Sequence, residues 1–552
     1  MNLLLTLGHN SSAILVNDEG EVLCGYENER ITKIKSDSQF PQAAIEEIRK
    51  HHEIPENVTI YVSHWFINGI LPDTINKYWN PIYLNTEFPD CVIMTVGRDF
   101  THHDAHAWSA TAFVGDHLKD ALVIVADGFG NFGETMSIYQ RDGTKLNILK
   151  RAFGFDTSLG LLYQYATSYL GMKENQDEYK LLGYEASIYD TARSEKELQL
   201  MIRRSEDLAN SMYSKIMSNL THDKYDPLCS VDALPALRLK YYVDIFDELL
   251  NEWHGYSEYA SRVVISSFIQ RVVEMVMLKV VNKYKAKDII LVGGLFYNVK
   301  LNQTISDAVS GQTSIMPLAG DQGAAIGLYH YATNGGFKWP AHLFWGKRKL
   351  DYDKIREVNS PRLKVVSSDM ETYDTIANLL ESNCIVNIVI GDMEFGPRAL
   401  GHTSTLALPL KTNVEYINHC NSRNTIMPMA GAMKIDHYHN VHENGDKIVK
   451  SLNYMICTRL FKPRMHEVYT GASHFSPTLK RFTGRTQMVA MSNPIHRILE
   501  YMDNFNMVIN TSFNPHGKPI IYDADDIIHG HNTMKSHDPD NRVYTFVIDG
   551  EL

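Results

Sequence analysis

One pattern is written twice in this chain, and it restricts the folds open to it. The first copy is NLLLTLG, SSAILVND and EVLCGYENER, three apolar runs parted by short polar breaks, one of them the turn DEGE. The second is ALVIVADGFGNFGETMSIYQRDGTKLNIL, again three runs, with a glycine-rich loop after the first and a turn at Arg141 to Gly143. Short apolar runs bounded by Gly, Asn and Asp are strand signals, so each copy reads as a meander. Helical segments follow both, which predicts a duplicated α/β domain of the actin and sugar-kinase type, whose loops after the strands face a nucleotide. Sequence identity between the copies is slight, so the repeat is one of architecture.

The helical stretch after the second meander runs from about Glu195 to Tyr284 and contains VVEMVMLKVV, an amphipathic core helix carrying Glu274 and Lys279. Two further strand-to-helix passages follow, KDIILVGGLFYNVKLN and SIMPLAGDQGAAIGLYHYA. The segment with Gly335, Gly336 and Pro340 then reads as a passage into a second, smaller α/β domain. A chain of 552 residues exceeds what one core normally supports. The expected division is 1–345 and 346–552.

Net charge is −12, which argues against sequence-independent nucleic-acid binding over the whole surface. Cys24, Cys91, Cys229, Cys384, Cys420 and Cys457 show no CxxC spacing and read as reduced core thiols rather than a zinc site or a disulfide framework. No apolar stretch is long enough to cross a bilayer, and the N-terminus lacks the basic start of a signal peptide. The expectation is a cytoplasmic protein without a membrane partner, in the host cytoplasm if the chain is viral.

THHDAHAWSA, residues 101–110, crowds three histidines and an aspartate into five positions. His102 and His106 are four apart and share one helix face, within reach of one metal ion. The alternative is a polar helix start with solvated histidines. Four loop motifs accompany the pair: GHNSS at 8–12, DGFGNFGE at 127–134, GGLFYN at 293–298 and GDQG at 320–323. Glycine-rich turns after strands present N–H groups to phosphates, and Asp127 and Asp321 are carboxylates suited to a hard or borderline metal.

Taken in order with ENERITKIK, SLGLLYQYATSYLG, EYKLLGY, DMEFGPRALG and NTSFNPHGKPI, these motifs resemble the O-carbamoyltransferase family, which includes nodulation-factor and antibiotic-tailoring enzymes. The resemblance spans nearly the whole chain. It implies an N-terminal actin-like (ASKHA) domain similar to the tRNA threonylcarbamoyl transferase and a C-terminal domain similar to YrdC. In such enzymes the C-terminal site forms carbamoyl-adenylate from carbamoyl phosphate and ATP, with Mg accompanying the ATP, and the N-terminal site moves the carbamoyl group to an alcohol. Residue by residue, it implies iron(II) or another divalent metal on His102, His106 and Asp321, with Asp127 close by as a ligand or phosphate-loop residue. It makes His9 the general base and has Gly128, Gly130, Gly293, Gly294, Asn298 and Asn302 hold the adenylate. Arg398, Arg423, Arg485, Asn510 and Ser512 form the donor site. His103 is left as a substrate contact or a solvated side chain, and Glu178 with Lys180 as an ion pair. A homodimer is the family-level expectation.

The C-terminal half departs from the pattern. Thr403, Asn421 and Met427 stand where the family has cations, each of which contributes about 1.5–3 kcal/mol to holding an anion. Lys434, Arg459, Lys462 or Arg464 substitute from other positions, or the domain has partly lost adenylation. The acceptor is a sugar-like small molecule or a hydroxymethylated pyrimidine of DNA or a nucleotide. A DNA acceptor calls for aromatic and basic residues on the rim, such as Trp65, Phe66, Lys77, Tyr78 and Trp79. The competing functions are an actin-fold kinase, a tRNA threonylcarbamoyl-type transferase and a nucleotide-binding adaptor.

Overall fold

The computed structural model describes residues 1–63, 78–154, 157–220, 258–423 and 429–550. Trp65, Phe66, Lys77, Cys229 and Met427 lie outside the described residues.

The two meanders fold as the repeat predicts. The first sheet comprises β1 (Asn2–Thr6), β2 (Ser12–Val16), β3 (Val22–Glu27), β4 (Thr59–Val62) and β5 (Val92–Thr95), in the order β3-β2-β1-β4-β5. The second comprises β6 (Asp120–Ala126), β7 (Glu134–Asp142), β8 (Lys145–Phe153), β9 (Ile289–Val292) and β10 (Thr313–Ile315), in the order β8-β7-β6-β9-β10. In each, the first three strands are antiparallel and the last two join the first in parallel. The same order and the same hand of pairing in both halves establish the duplicated actin-like architecture. The parallel centre of the second sheet is wholly apolar and buried along Ile289–Val292, as a strand covered on both faces requires.

The C-terminal half is built on a mixed sheet of seven strands. These are β12 (Leu363–Ser367), β13 (Ile385–Ile390), β15 (Thr403–Ala407), β16 (Ala430–Lys434), β20 (Gln487–Val489), β21 (Met507–Ser512) and β22 (Val543–Asp549), ordered β12-β22-β13-β15-β21-β16-β20. A small antiparallel sheet of β17 (Arg459–Leu460), β19 (Arg481–Gly484) and β18 (His474–Ser476) stands beside it.

The two halves contact each other across the expected boundary. β11 (Phe344–Gly346) pairs with β14 (Met393–Glu394) across it. Tyr438, Ile448, Leu452, Tyr454 and Cys457 join the same apolar cluster as the N-terminal sheets. Val449 donates its N–H to the Thr313 carbonyl at 2.9 Å, so the segment after β16 lies along the edge of the second N-terminal sheet. The five described cysteines are free. Among the described residues no helix is long and apolar enough to cross a membrane.

Buried histidines give the fold an acid limit. Burial pushes His442 down to about 3 and His402 down to about 4, the latter against the pull of Glu394. Both folded values lie below the ordinary 6.5, so their stabilisation is complete above pH 6.5 and is lost as pH falls towards the folded values. Each is expected to withdraw about 3 kcal/mol of unfolding free energy by pH 4. Chemical denaturation at a series of pH values checks this, and a flat profile across that window contradicts it.

Candidate metal centre and donor site

The histidine helix spans His102–Val114 and begins with a reciprocal capping box. The Thr101 side chain accepts from the Asp104 N–H, and the Asp104 carboxylate accepts from the Thr101 N–H at 2.8 Å. Arg151 on β8 donates to both Asp104 oxygens at 2.8 and 2.9 Å and also pairs with Glu134. The Tyr139 hydroxyl donates to Asp104 at 2.8 Å. This network fixes the first turn of the helix, and with it the direction of both imidazoles.

The Nε2 atoms of His102 and His106 are 3.1 Å apart. His102 Nε2 lies 3.2 Å from Asp321 Oδ1 and 3.5 Å from Asp127 Oδ2, and His106 Nε2 lies 3.2 Å from Asp127 Oδ2 and 3.5 Å from Asp321 Oδ1. Four donor atoms within 4.8 Å of one another thus converge from one helix and two loops. Ligands at ordinary tetrahedral distances around a first-row metal stand about 3.3–3.6 Å apart, so the donor set fits such an ion. His102 Nδ1 donates to the Ser63 carbonyl at 2.8 Å, which in the neutral ring leaves the Nε2 lone pair facing the centre. Burial opposes charge on His102, yet Asp321 and Asp127 beside it hold the imidazole well above its ordinary range. Burial likewise works against ionising Asp321 and Asp127, but the two imidazoles hold both carboxyls low. Two imidazole nitrogens and two carboxylates facing one point call for positive charge there.

The glycines bring these loops together. Gly293 has φ +104, and a Cβ there would lie 2.3 Å from the Ala126 carbonyl; at Gly294 it would lie 2.8 Å from Asp127 Oδ1. This loop can therefore close on the end of β6 only without side chains at these two positions. Gly128 donates its N–H to Asp127 Oδ1 at 2.7 Å, and Gly130 packs on the His103 ring. His9 is exposed in the turn after β1, and Asp321 is held low partly by its charge. Thr6 in β1 donates to the Asp321 carbonyl at 3.2 Å, which ties this turn's strand to the cluster.

Several expectations need correcting. His103 is neither solvated nor at an open face; it is fully buried, with Nδ1 2.9 Å from Ser137 Oγ. Asn298 is a helix cap, accepting from Leu301 N–H at 3.0 Å and donating to Gln270 Oε1 at 2.7 Å. Asn302 is fully buried and donates to the carbonyls of Phe296 and Ile456, both at 2.7 Å. The side chains of both are thus engaged in holding the fold. Lys180 pairs with Asp177 at 2.7 Å, and Glu178 accepts from Asn175 N–H at 2.6 Å, so these two do not pair with each other. Trp79 meets Phe40 edge-on at 6.0 Å between centroids, as core packing.

At the C-terminal site, Arg398 and Arg485 are both desolvated, and burial plus the charge of Arg398 push Arg485 down to about 9. Arg423 reaches the carbonyls of Ser512 and Asn514 at 3.3 Å. Among the described residues none of the three arginines has a carboxylate at ion-pair distance. Asn510 donates to the carbonyl of Ala399 at 3.3 Å and to Gln487 Oε1 at 2.8 Å, and Ser512 Oγ donates to Asn514.

At Thr403 a cation does arrive, from a position that sequence spacing did not suggest. Arg348 donates to Thr403 Oγ1 at 3.1 Å and to the carbonyls of Gly391, Ile390 and His402 at 2.7–3.1 Å. Its guanidinium is engaged by three backbone carbonyls and the Thr403 hydroxyl. Asn421 is buried, and among the described residues neither end of its carboxamide is hydrogen-bonded. Two of the proposed substitutes are occupied elsewhere: Arg459 pairs with Asp307 at 2.8 Å, and Lys462 donates to the His439 carbonyl.

Residues 92–329 match the family model described as Carbamoyltransferase N-terminus, and residues 377–538 the one described as Carbamoyltransferase C-terminus. An uncharacterized protein of Methanocaldococcus jannaschii is 27% identical over 535 residues, covering 94% of each chain. The nodulation protein NolNO of Sinorhizobium fredii is 23% identical over 557 residues, covering 95% of this chain and 76% of that one. Among solved structures, HypF of T. kodakarensis is similar at 14% identity and a TM-score of 0.29, over 60% of this chain and 47% of that one, which carries no argument beyond the sheet order above. With both family regions present in order over most of its length, the chain belongs to the carbamoyltransferase family and is a transferase.

Proposed function

We propose that the protein is an ATP-dependent O-carbamoyltransferase that activates carbamoyl phosphate in its C-terminal half and delivers the carbamoyl group to an alcohol in its N-terminal half. The observation that carries this reading is the group Arg398, Arg485 and Arg423, half-buried guanidinium groups without a carboxylate partner among the described residues. A desolvated cation is costly unless an anion meets it, and carbamoyl phosphate and ATP are polyanions of the right kind. Thr403 and Asn421 leave this set smaller than the family's.

The chemistry balances as follows. Carbamoyl phosphate and water give carbamate and phosphate; a carbamate oxygen attacks the α-phosphorus of ATP, forming carbamoyl-adenylate as pyrophosphate leaves. The acceptor hydroxyl then attacks the carbamoyl carbon, and the bond to AMP breaks with its electron pair going to the AMP phosphate. His9 takes the hydroxyl proton, a role worth ~10²- to 10⁴-fold. His102, His106, Asp127 and Asp321 would hold a divalent ion such as iron(II), which when bound supplies Lewis-acid polarisation of the adenylate oxygens. Gly128, Gly130, Gly293 and Gly294 let the adenylate approach the backbone closely.

The acceptor is a sugar-like small molecule or a hydroxymethylated pyrimidine in DNA or a nucleotide. The test supplies carbamoyl phosphate and ATP first without acceptor, then with hydroxymethylcytosine DNA or a sugar pool. Pyrophosphate release that requires both substrates, followed by transfer to one pool, is expected. Release of ADP in place of pyrophosphate overturns the reading in favour of a kinase.

A further inference from the structure

The segment ENERITKIK has no part in the chemistry above, yet Arg30 within it is a large, fully buried side chain. Its guanidinium donates to Glu27 Oε2 at 2.6 Å and Glu29 Oε1 at 2.9 Å, and then leaves its own domain: Nη2 donates to the carbonyl of Gly396 at 2.8 Å. Gly396 lies two residues before Arg398, in the turn that carries that arginine into the donor site.

The turn is held at both ends. On the C-terminal side, Asn510 donates to the Ala399 carbonyl at 3.3 Å, and Gln487 and Asn493 donate to the Leu400 carbonyl at 3.0 and 2.6 Å. Within the turn, Glu394 Oε1 accepts the N–H groups of Leu400, His402 and Thr403 at 2.8, 2.8 and 3.1 Å. On the N-terminal side the hold is Arg30, helped by close packing. A Cβ on Gly396, whose φ is +104, would meet Leu318 at 2.7 Å, and one on Gly25 would meet Phe395 at 3.4 Å. Arg398 lies between the two clamps.

We propose that Arg30 is a positioning residue for the donor site, clamping the turn of Arg398 from the transferase half so that anion binding depends on the docking of the two halves. This rests on the reading of Arg398 as a donor-site cation. A fork of two carboxylates and one carbonyl suits a planar guanidinium and not an ammonium, which keeps the charge but cannot reach all three.

The test compares the full-length protein with Arg30→Lys and, as a control, Lys33→Ala. Lys33 also bridges the halves, to Asp523 at 3.0 Å and to Asp526, but touches nothing in the Arg398 turn. Two quantities are measured: the dissociation constant for carbamoyl phosphate without ATP, and amide hydrogen exchange over residues 394–403. For Arg30→Lys we expect at least tenfold weaker binding and faster exchange confined to that turn, with metal content unchanged; Lys33→Ala stays within twofold of wild type in both. Unchanged exchange in Arg30→Lys, or an equal loss in Lys33→Ala, overturns the positioning role while leaving the donor site standing. A wild-type protein that does not bind carbamoyl phosphate removes the donor-site reading and this inference together.

Discussion

Changing Asp321 to Ala is expected to strip the protein of its divalent metal and to lower carbamoyl transfer by at least ~10³-fold. The four donor atoms stand 3.1 to 3.5 Å apart along the contacts given, so removing one carboxylate leaves two imidazoles and a single acid around the centre. His102→Ala is expected to do the same, and the double variant little more, because ligands of one ion act as a unit. Metal analysis after gel filtration reads the first effect and turnover the second. By contrast, Ser63 acts through its carbonyl, so no side-chain change there removes the hydrogen bond that aims His102. Metal retained at full stoichiometry in Asp321→Ala would show that Asp321 is not needed to hold the ion and would contradict this ligand set.

The second large effect belongs to Arg398→Ala. Removing one preorganised donor aimed at developing charge commonly costs ~10²- to 10³-fold, and that range is expected for formation of the adenylate. The loss relieves the repulsion that, after burial, helps push Arg485 down to about 9, so the unliganded variant should be no less stable than wild type. Carbamoyl phosphate should raise the unfolding temperature of the wild type and not of the variant, since a ligand that binds only the folded state stabilises it. Differential scanning calorimetry with and without carbamoyl phosphate separates these outcomes. An equal upward shift in both proteins would place the anion elsewhere.

The sequence exposes those features that depend on local spacing. The two meanders, the HxxxH pair and the carboxylates of the two glycine-rich loops all follow from residue order, because strand periodicity and helix pitch act over a few residues. Contacts between distant segments were hidden. Arg348 reaches the backbone around Thr403 from fifty-five residues away, and no spacing rule connects them. Asn298 sits in a phosphate-type loop, but its position before a helix favoured a cap, a role its residue type also fits. That ambiguity was resolvable: an Asn immediately before VKLNQ is an N-cap signal. Arg30 illustrates the other limit. Its motif is legible, but its partner carbonyl belongs to residue 396, so its role appears only when the halves are docked.

The most direct test of the whole account is to combine the metal-loaded protein with carbamoyl phosphate, ATP and the acceptor pools, and to follow acceptor mass and nucleotide products together. The account predicts a gain of about 43 Da on an alcohol, one AMP formed per transfer, and loss of the product in His9→Ala. A gain of about 80 Da with ADP as the nucleotide product would mean phosphoryl transfer by an actin-fold kinase, and would contradict it.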